Sequence, residues 1–328
     1  MKRILYAIQG TGNGHVARAL VVVPALKKKF DVDILVSGRQ SNLTLPFTVH
    51  YKYSGVSFVY DRGGGLSYSK TLFHNNLVKV YKELRKLPVR DYDLVISDFE
   101  PISAYASKIT GIPSLAFSHQ ASFLSKRVPR PNRKSTIGEF VLKNYAPCAH
   151  RIGIHFQSYE PWILPPILRP EILRATPCES QEYIVYLPAY GDSLLIKMLS
   201  KMDGTFVVFS KFSTFSYKKD NVTIIPAQVQ EFTKRLITCR GVITSAGFET
   251  PAEALYLEKK LMCIPIKGQY EQYCNAAALE ELGVPVYERL SAGILRSWLN
   301  ETTVVSLPNR EELIRLPESF LQRIHDLL

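Results

Sequence analysis

The sequence predicts an α/β protein built from two doubly wound halves, each a parallel sheet with helices on both faces. Three observations predict it. Short apolar runs alternate with helically patterned stretches along most of the chain, the alternation breaks once at a proline-dense stretch, and 328 residues exceed one comfortable core. The bulk composition fits a globular chain, with 46% hydrophobic and 21% charged residues. No run approaches the ~18 uninterrupted apolar residues of a membrane-spanning helix.

Taken in order, Lys2–Ile8 is the first predicted strand. It begins too close to Met1 and ends too soon to be a signal peptide, so the expected location is the cytoplasm. The turn Gly10-Thr11-Gly12-Asn13-Gly14-His15 follows, then a helical pattern over Val16–Phe30 and a strand at Val32–Ser37. Leu94–Ser97 reads as a short buried strand, Ala104–Thr110 as a helix and Ile112–Phe117 as the next strand. Pro161, Pro165, Pro166, Pro170 and Pro177 then exclude a helix or a central strand, and the stretch reads as a stiff linker. The expected division is an N-terminal unit at 1–158, a linker at 159–180 and a C-terminal unit at 181–328. In the second unit, strands are expected at Tyr183–Leu187, Thr205–Phe209, Val222–Ile225, Gly241–Thr244 and Leu261–Ile264. Helices are expected at Gln230–Thr238, Thr250–Glu258 and Tyr273–Leu282.

The chemistry concentrates after Gly241–Thr244. That strand ends in the small residues Ser245, Ala246 and Gly247, and a helix begins with Pro251 in its first turn. Free backbone N–H groups and a helix N-terminus at the carboxyl end of a parallel strand suit a pyrophosphate. Glu253 is placed to accept from the two hydroxyls of a ribose, with Glu249, one turn earlier on nearly the same face, as its competitor. Beyond the next strand, Glu271 and Gln272 stand at the mouth of the same crevice and carry groups that hydrogen-bond vicinal hydroxyls.

In combination and spacing, Thr244–Gly283 resembles the donor-binding region of GT-B glycosyltransferases. It is similar to the family of the transferase that adds N-acetylglucosamine to the lipid-linked peptidoglycan precursor, and looks more like relatives of that enzyme than like the enzyme itself. In that superfamily a ribose-binding Glu lies six residues after the glycine of the turn, here Gly247 and Glu253. An acidic-Gln pair lies three and four residues before an Asn, here Glu271, Gln272 and Asn275. The resemblance implies two Rossmann-like domains facing across a cleft, a nucleotide-sugar substrate, expected to be UDP-linked, and no cofactor. It implies that Ser245 and Thr250 lie near the phosphates, that Glu271 and Gln272 hold the sugar, and that Gly191, in the turn after Tyr183–Leu187, closes over the phosphates. The segment Gln228–Phe232 matches the place where relatives hold the nucleobase. The first turn, with Gly12 and Gly14, lacks the third glycine of a dinucleotide fingerprint and is similar instead to the loop that faces donor diphosphate and acceptor.

His15 is the candidate base, because its ordinary pKa lies near neutrality; a phosphate or backbone contact is the alternative. Asp98 and Glu100 follow a strand at the carboxyl edge of the sheet, and Glu100 is expected on the acceptor side. Asp98 is either a second candidate base, an acceptor contact or the cap of the next helix. His119 is either a cleft residue on the acceptor side or a turn residue. No acidic pair suggests a metal, and none is expected.

Charge separates the halves. Residues 1–160 hold 23 Lys+Arg against 10 Asp+Glu, whereas residues 161–328 hold 18 against 19. The densest basic run, with Lys126, Arg127 and Arg130, lies just after Phe123 and Leu124. It is expected to be a mobile loop that docks on anionic headgroups or grips an acceptor phosphate, or else an ordinary solvated loop. A lipid-linked or anionic acceptor and peripheral contact with the inner membrane face follow as expectations; nucleic acid is not expected, since no binding module accompanies the charge. The five cysteines show no paired spacing. A nucleotide-sugar 2-epimerase and a non-catalytic nucleotide-sugar-binding protein are the alternatives that share the fold.

Overall fold

A computed structural model describes residues 1–10, 13–38, 45–56, 76–176, 180–308 and 310–328. Gly12 and Cys178 lie outside the described residues. Seven strands form the first sheet: β1 (Arg3–Gln9), β2 (Asp31–Ser37), β3 (Tyr51–Tyr53), β4 (Leu94–Asp98), β5 (Ser114–Ser118), β6 (His150–Ile154) and β7 (Ile163–Leu164). Their order is β3-β2-β1-β4-β5-β6-β7, and every pairing is parallel. Such a sheet needs cover on both faces, and Ile4–Ile8 of β1 are accordingly buried without interruption.

The helix α1 (Asn13–Lys27) turns Val16, Ala19, Val22, Val23 and Leu26 inward, a stripe at helical spacing. Asn76 caps α2 (Leu77–Lys86), accepting from the backbone N–H of Lys79 at 3.0 Å. Helix α3 (Pro101–Thr110) starts with proline and stops at Gly111, whose φ of 76° needs a residue without Cβ strain. The short α4 (His119–Ser122) and then α5 (Thr136–Asn144) follow β5.

The second sheet contains β8 (Glu182–Tyr186), β9 (Thr205–Ser210), β10 (Tyr217–Lys219), β11 (Val222–Pro226), β12 (Gly241–Thr244) and β13 (Lys260–Cys263). Its order is β10-β11-β9-β8-β12-β13, parallel except for the edge pair β10–β11.

Two features differ from expectation. The proline-dense stretch is more than a linker: β7 pairs with β6, α6 (Pro170–Leu173) follows, and Leu164, Leu168 and Ile172 are buried. The last helix, α12 (Glu312–His325), returns to the first sheet, where Phe320 stacks on Phe117 with ring centroids 4.0 Å apart. The largest apolar cluster therefore runs continuously from Ile4 and Phe117 to Ile184, Leu255 and Phe320. Among the described residues no helix is long and apolar enough to cross a membrane.

Each sheet has one place where strand order reverses, β1/β4 in the first and β8/β12 in the second. Loops leaving the carboxyl ends there diverge to opposite faces and open a crevice between them. The segments carrying the sequence-predicted chemistry emerge at these two points.

Candidate active site

The first-half corner is set by register. Ile8 of β1 pairs with Asp98 of β4, so the turn into α1 and the residues after β4 share one edge. His15 Nδ1 lies 2.7 Å from Asp98 Oδ1. Arg18, one turn further along α1, donates to the same oxygen at 2.6 Å. Asp98 is fully buried and Arg18 is 4% exposed. Burial opposes the Arg18 charge, but Asp98 and then Glu249 outweigh it, so the guanidinium is held ionised above its ordinary range. Burial, with the Asp98 charge behind it, pushes the Tyr6 hydroxyl well up, so Tyr6 meets the cluster neutral.

The chain leaves Asp98 through Phe99, a non-glycine residue at φ 55°, and this bend turns the next carboxylate inward. Glu100 is consequently not on the acceptor side. It is fully buried and caps α3, accepting from the N–H groups of Ile102 and Ser103 at 2.9 and 2.6 Å and from Ser37 Oγ at 2.6 Å. The capping alternative considered for Asp98 thus belongs to Glu100, whose pKa burial raises against these donors.

In the second half, Thr244 pairs with Tyr186, which sets the turn after β12 beside the turn after β8. Ser245, Ala246 and Gly247 lead into α9 (Glu249–Tyr256), whose first residues have no side-chain cap. A Cβ at Gly247 would meet nothing within 4 Å, so the turn faces open space. Thr250 is in the first turn of α9, and Gly191 precedes α7 (Asp192–Leu199) without a side-chain cap there either. Helix α8 (Val229–Thr238) follows β11, which β9 separates from β8.

Glu253 departs from expectation. It is 4% exposed, and both of its oxygens accept from Arg169, at 2.6 and 2.5 Å. Arg169 also reaches Thr233. Burial raises the Glu253 pKa and Arg169 opposes the rise. The carboxylate is thus a structural clamp between α9 and the chain ahead of α6 in this conformation, not a free acceptor for a ribose. On α10 (Tyr270–Glu281), Gln272 accepts from the backbone N–H of Ile266 at 2.9 Å. Glu271 accepts from Gln120 of the first half at 3.1 and 3.2 Å.

The two corners touch. Arg18 Nη2 donates to Glu249 Oε1 at 2.7 Å across the cleft. His119 is not open to an acceptor: it is fully buried, stacked on Phe248 at 3.9 Å and 9°, with its nitrogens 2.8 Å from the Ile154 carbonyl and 2.7 Å from Asn275 Oδ1. Burial lowers its pKa, with Glu271 and the two acceptors opposing. Tyr270 donates to Glu139 at 2.6 Å, completing the bridge from α10 to α5.

The basic loop is also rearranged relative to expectation. Phe123 is buried, and Arg130 lies over its ring while donating to Glu139, to the Phe123 carbonyl and to Val128. Arg130 therefore pins the loop and is not available to an acceptor. Lys126 and Arg127 are exposed, and Arg127 lies 3.7 Å from Glu160.

Sequence reasoning missed Arg18, Arg169 and Gln120. Arg18 had a signal: a charge inside the apolar stripe of α1, three residues from a candidate base. Among the described residues no group of three or more His, Cys, Asp or Glu side chains is arranged to hold a metal ion.

Residues 2–302 match the family described as Glycosyl transferase family 1. No curated protein matches the chain. The fold superposes on spinosyn forosaminyltransferase SpnP with a TM-score of 0.60 at 13% identity, covering 99% of both chains. It superposes on the Streptomyces sp. SF2575 glycosyltransferase SsfS6 complexed with thymidine diphosphate at 0.59 and 15%, covering 97% of this chain and 96% of that one. For MurG of Acinetobacter baumannii the values are 0.54 and 12%, with 97% and 100% covered. These likenesses show a GT-B fold, and with the family match across most of its length the chain belongs to glycosyl transferase family 1: it is a glycosyltransferase.

Proposed function

We propose that the protein transfers a sugar from a UDP-linked donor to a hydroxyl of an anionic or lipid-linked acceptor, with His15 as general base and without a metal. The observation that carries this reading is the His15–Asp98 pair, 2.7 Å apart at the reversal point of the first sheet and facing the head of α9. Asp98 holds Nδ1, which leaves Nε2 to take the acceptor proton. The acceptor oxygen then forms its bond to the anomeric carbon as the bond from that carbon to the diphosphate breaks. The departing electron pair stays on the diphosphate, whose charge the uncapped N–H groups of α9 favour. Ser245, Gly247 and Thr250 flank that position, Gly191 faces it from the neighbouring turn, and Glu271 and Gln272 lie toward the sugar. Glu253 reaches a ribose only by sharing or releasing Arg169.

A membrane-side acceptor is supported by a different surface from the loop that the sequence suggested. Val78 and Tyr81 of α2, Tyr105 and Ile109 of α3, and Ile137 and Phe140 of α5 are exposed, interspersed with exposed Lys79, Lys82, Lys108 and Lys143. Apolar side chains among lysines fit the boundary of an anionic bilayer.

The test is a thermal-shift screen against UDP-, GDP- and dTDP-sugars, followed by UDP-release assays. The expected result is a selective shift with UDP-sugars and loss of turnover in His15→Ala with the shift retained. Absence of a shift with every nucleotide sugar would overturn the reading.

A further inference from the structure

Four ionisable side chains stand in a row across the cleft, in the order His15, Asp98, Arg18 and Glu249. Asp98 Oδ1 accepts from His15 Nδ1, 2.7 Å away, and from Arg18 Nη1 at 2.6 Å. The other arm of the guanidinium, Nη2, donates to Glu249 Oε1 at 2.7 Å. His15, Arg18 and Asp98 belong to the first half, on α1 and β4, whereas Glu249 opens α9 of the second. A Cβ at Gly14 would lie 2.5 Å from Glu249 Oε2, so a side chain there would push the carboxylate off Arg18. The glycine keeps the row intact.

Counting charges gives the row a direction. When His15 takes a proton, its imidazolium shares one carboxylate oxygen with the Arg18 guanidinium. Asp98 can neutralise one of these two cations and not both. With Glu249 in place the protonated row sums to zero; without it, one positive charge is left over. The His15 side chain is 12% exposed and that of Arg18 3%, so little water screens the repulsion between them. Tyr6, the titratable group of β1 behind Asp98, is held neutral and adds no charge. Glu249 is therefore the member that completes the row, and it reaches Arg18 from the opposite half, which makes its contribution depend on closure of the cleft.

We propose that Glu249, acting through Arg18, supplies the counter-charge for the imidazolium that forms on His15 in turnover, so that the base is competent only when the cleft is closed. The proposal rests on the reading of His15 as base and deepens it. In this role Glu249 and Arg18 are positioning residues, acting on His15 through Asp98. The acceptor proton still goes to His15 Nε2, the acceptor oxygen still bonds to the anomeric carbon, and the diphosphate still leaves with its electron pair. An open cleft holding a donor has the weaker base, which spares the donor from water until the halves meet.

Titration of the His15 ring tests it, followed by NMR of the full chain with labelled histidine and assigned by the signal lost in His15→Ala. Glu249→Gln keeps an oxygen for Arg18 and removes the charge. The His15 midpoint should then fall by about half a pH unit to one unit. Arg18→Gln keeps a donor for Asp98 and removes the repelling cation, so the midpoint should rise. In that background, adding Glu249→Gln should move it by less than about 0.2 unit, because the relay is already cut. If Arg18→Gln fails to fold, the Glu249→Gln midpoint decides alone. In UDP release from UDP-glucose, UDP-galactose or UDP-N-acetylglucosamine, with water as acceptor, Glu249→Gln should lower kcat about fivefold and keep the donor KM within about twofold. A latch that merely held the halves together would raise KM and leave the midpoint where it was. A folded Glu249→Gln variant with an unmoved His15 midpoint overturns the proposal and leaves the base reading intact. Undiminished UDP release by His15→Ala takes down the base reading and the proposal together.

Discussion

Replacing Asp98 by Asn isolates the charge of the buried carboxylate from its shape. In the wild-type structure one oxygen accepts from His15 at 2.7 Å and from Arg18 at 2.6 Å, in a place with no solvent. Asn fits the space and can still present an oxygen to both donors, but the imidazolium that forms on His15 loses its counter-charge. A hydrogen bond to a charged group contributes about 1.5–3 kcal/mol, more where water is excluded. A loss of about 3–4 kcal/mol in the transition state lowers kcat by two to three orders of magnitude. Folding should suffer less, because Arg18 retains Glu249 and the cluster sheds one of its two carboxylates. The assay is UDP release at saturating UDP-sugar, with UDP affinity and urea unfolding measured on the same preparation. A folded variant that releases UDP within threefold of the wild-type rate refutes the reasoning, and with it the role of the His15–Asp98 pair.

Arg169→Ala strands the buried Glu253 carboxylate, and unfolding free energy in urea should fall by about 3–5 kcal/mol; Arg169→Lys should recover little, having one point charge for two oxygens. A loss below about 1 kcal/mol would show that Glu253 finds another partner. Stability should also fall as pH drops below about 6.5. Burial holds His155 well below its ordinary pKa, as it lowers His119, so the unfolded chain binds more protons than the native one in that window. Each histidine that stays neutral costs up to about 1.4 kcal/mol per pH unit, and the carboxyls of Glu100 and Glu253, raised by burial, act with the opposite sign. The urea midpoint at pH 7.5 and 5.5 reads the slope, which His155→Asn should reduce by roughly half. Finally, Ile137→Glu with Phe140→Glu should abolish co-sedimentation with phosphatidylglycerol vesicles while leaving UDP affinity unchanged; vesicle binding that persists would point to a different face.

Much of this architecture was legible because parallel strands buried on both faces leave continuous apolar runs, and Gly241–Thr244 was readable to the residue. The short strands β7 and β10 carry no such run. The prolines flanking β7, Pro161 and Pro165, point the other way, and its two-residue length at the sheet edge reconciles the two. The site divided along a similar line. His15 and Asp98 could each be placed at the carboxyl end of a strand from the sequence alone, and the pairing of β1 with β4 brings them together. What local sequence cannot supply is the identity of a partner distant in the chain. Glu253 was read as facing a ribose and His119 as either a cleft or a turn residue, whereas Arg169 of the proline-dense stretch and Asn275 of the second half claim them from 84 and 156 residues away. Glu100 was misread for a nearer reason: the positive φ at Phe99 reverses its direction, and nothing in the residue type of Phe99 announces it.

The return of α12 to the first sheet has a mechanical consequence. The backbone crosses between the sheets twice, once after β7 and again between α11 (Ala292–Asn300) and α12. Two tethers on the same pair of bodies forbid them to slide apart or swivel freely, and leave rotation about a line through both crossings as the easy motion. Breaking Arg18–Glu249, Gln120–Glu271, Tyr270–Glu139 and the His119 contacts with Asn275 and Phe248 would then open the cleft as a jaw, widest at the edge farthest from that line, with Phe320 on Phe117 moving least.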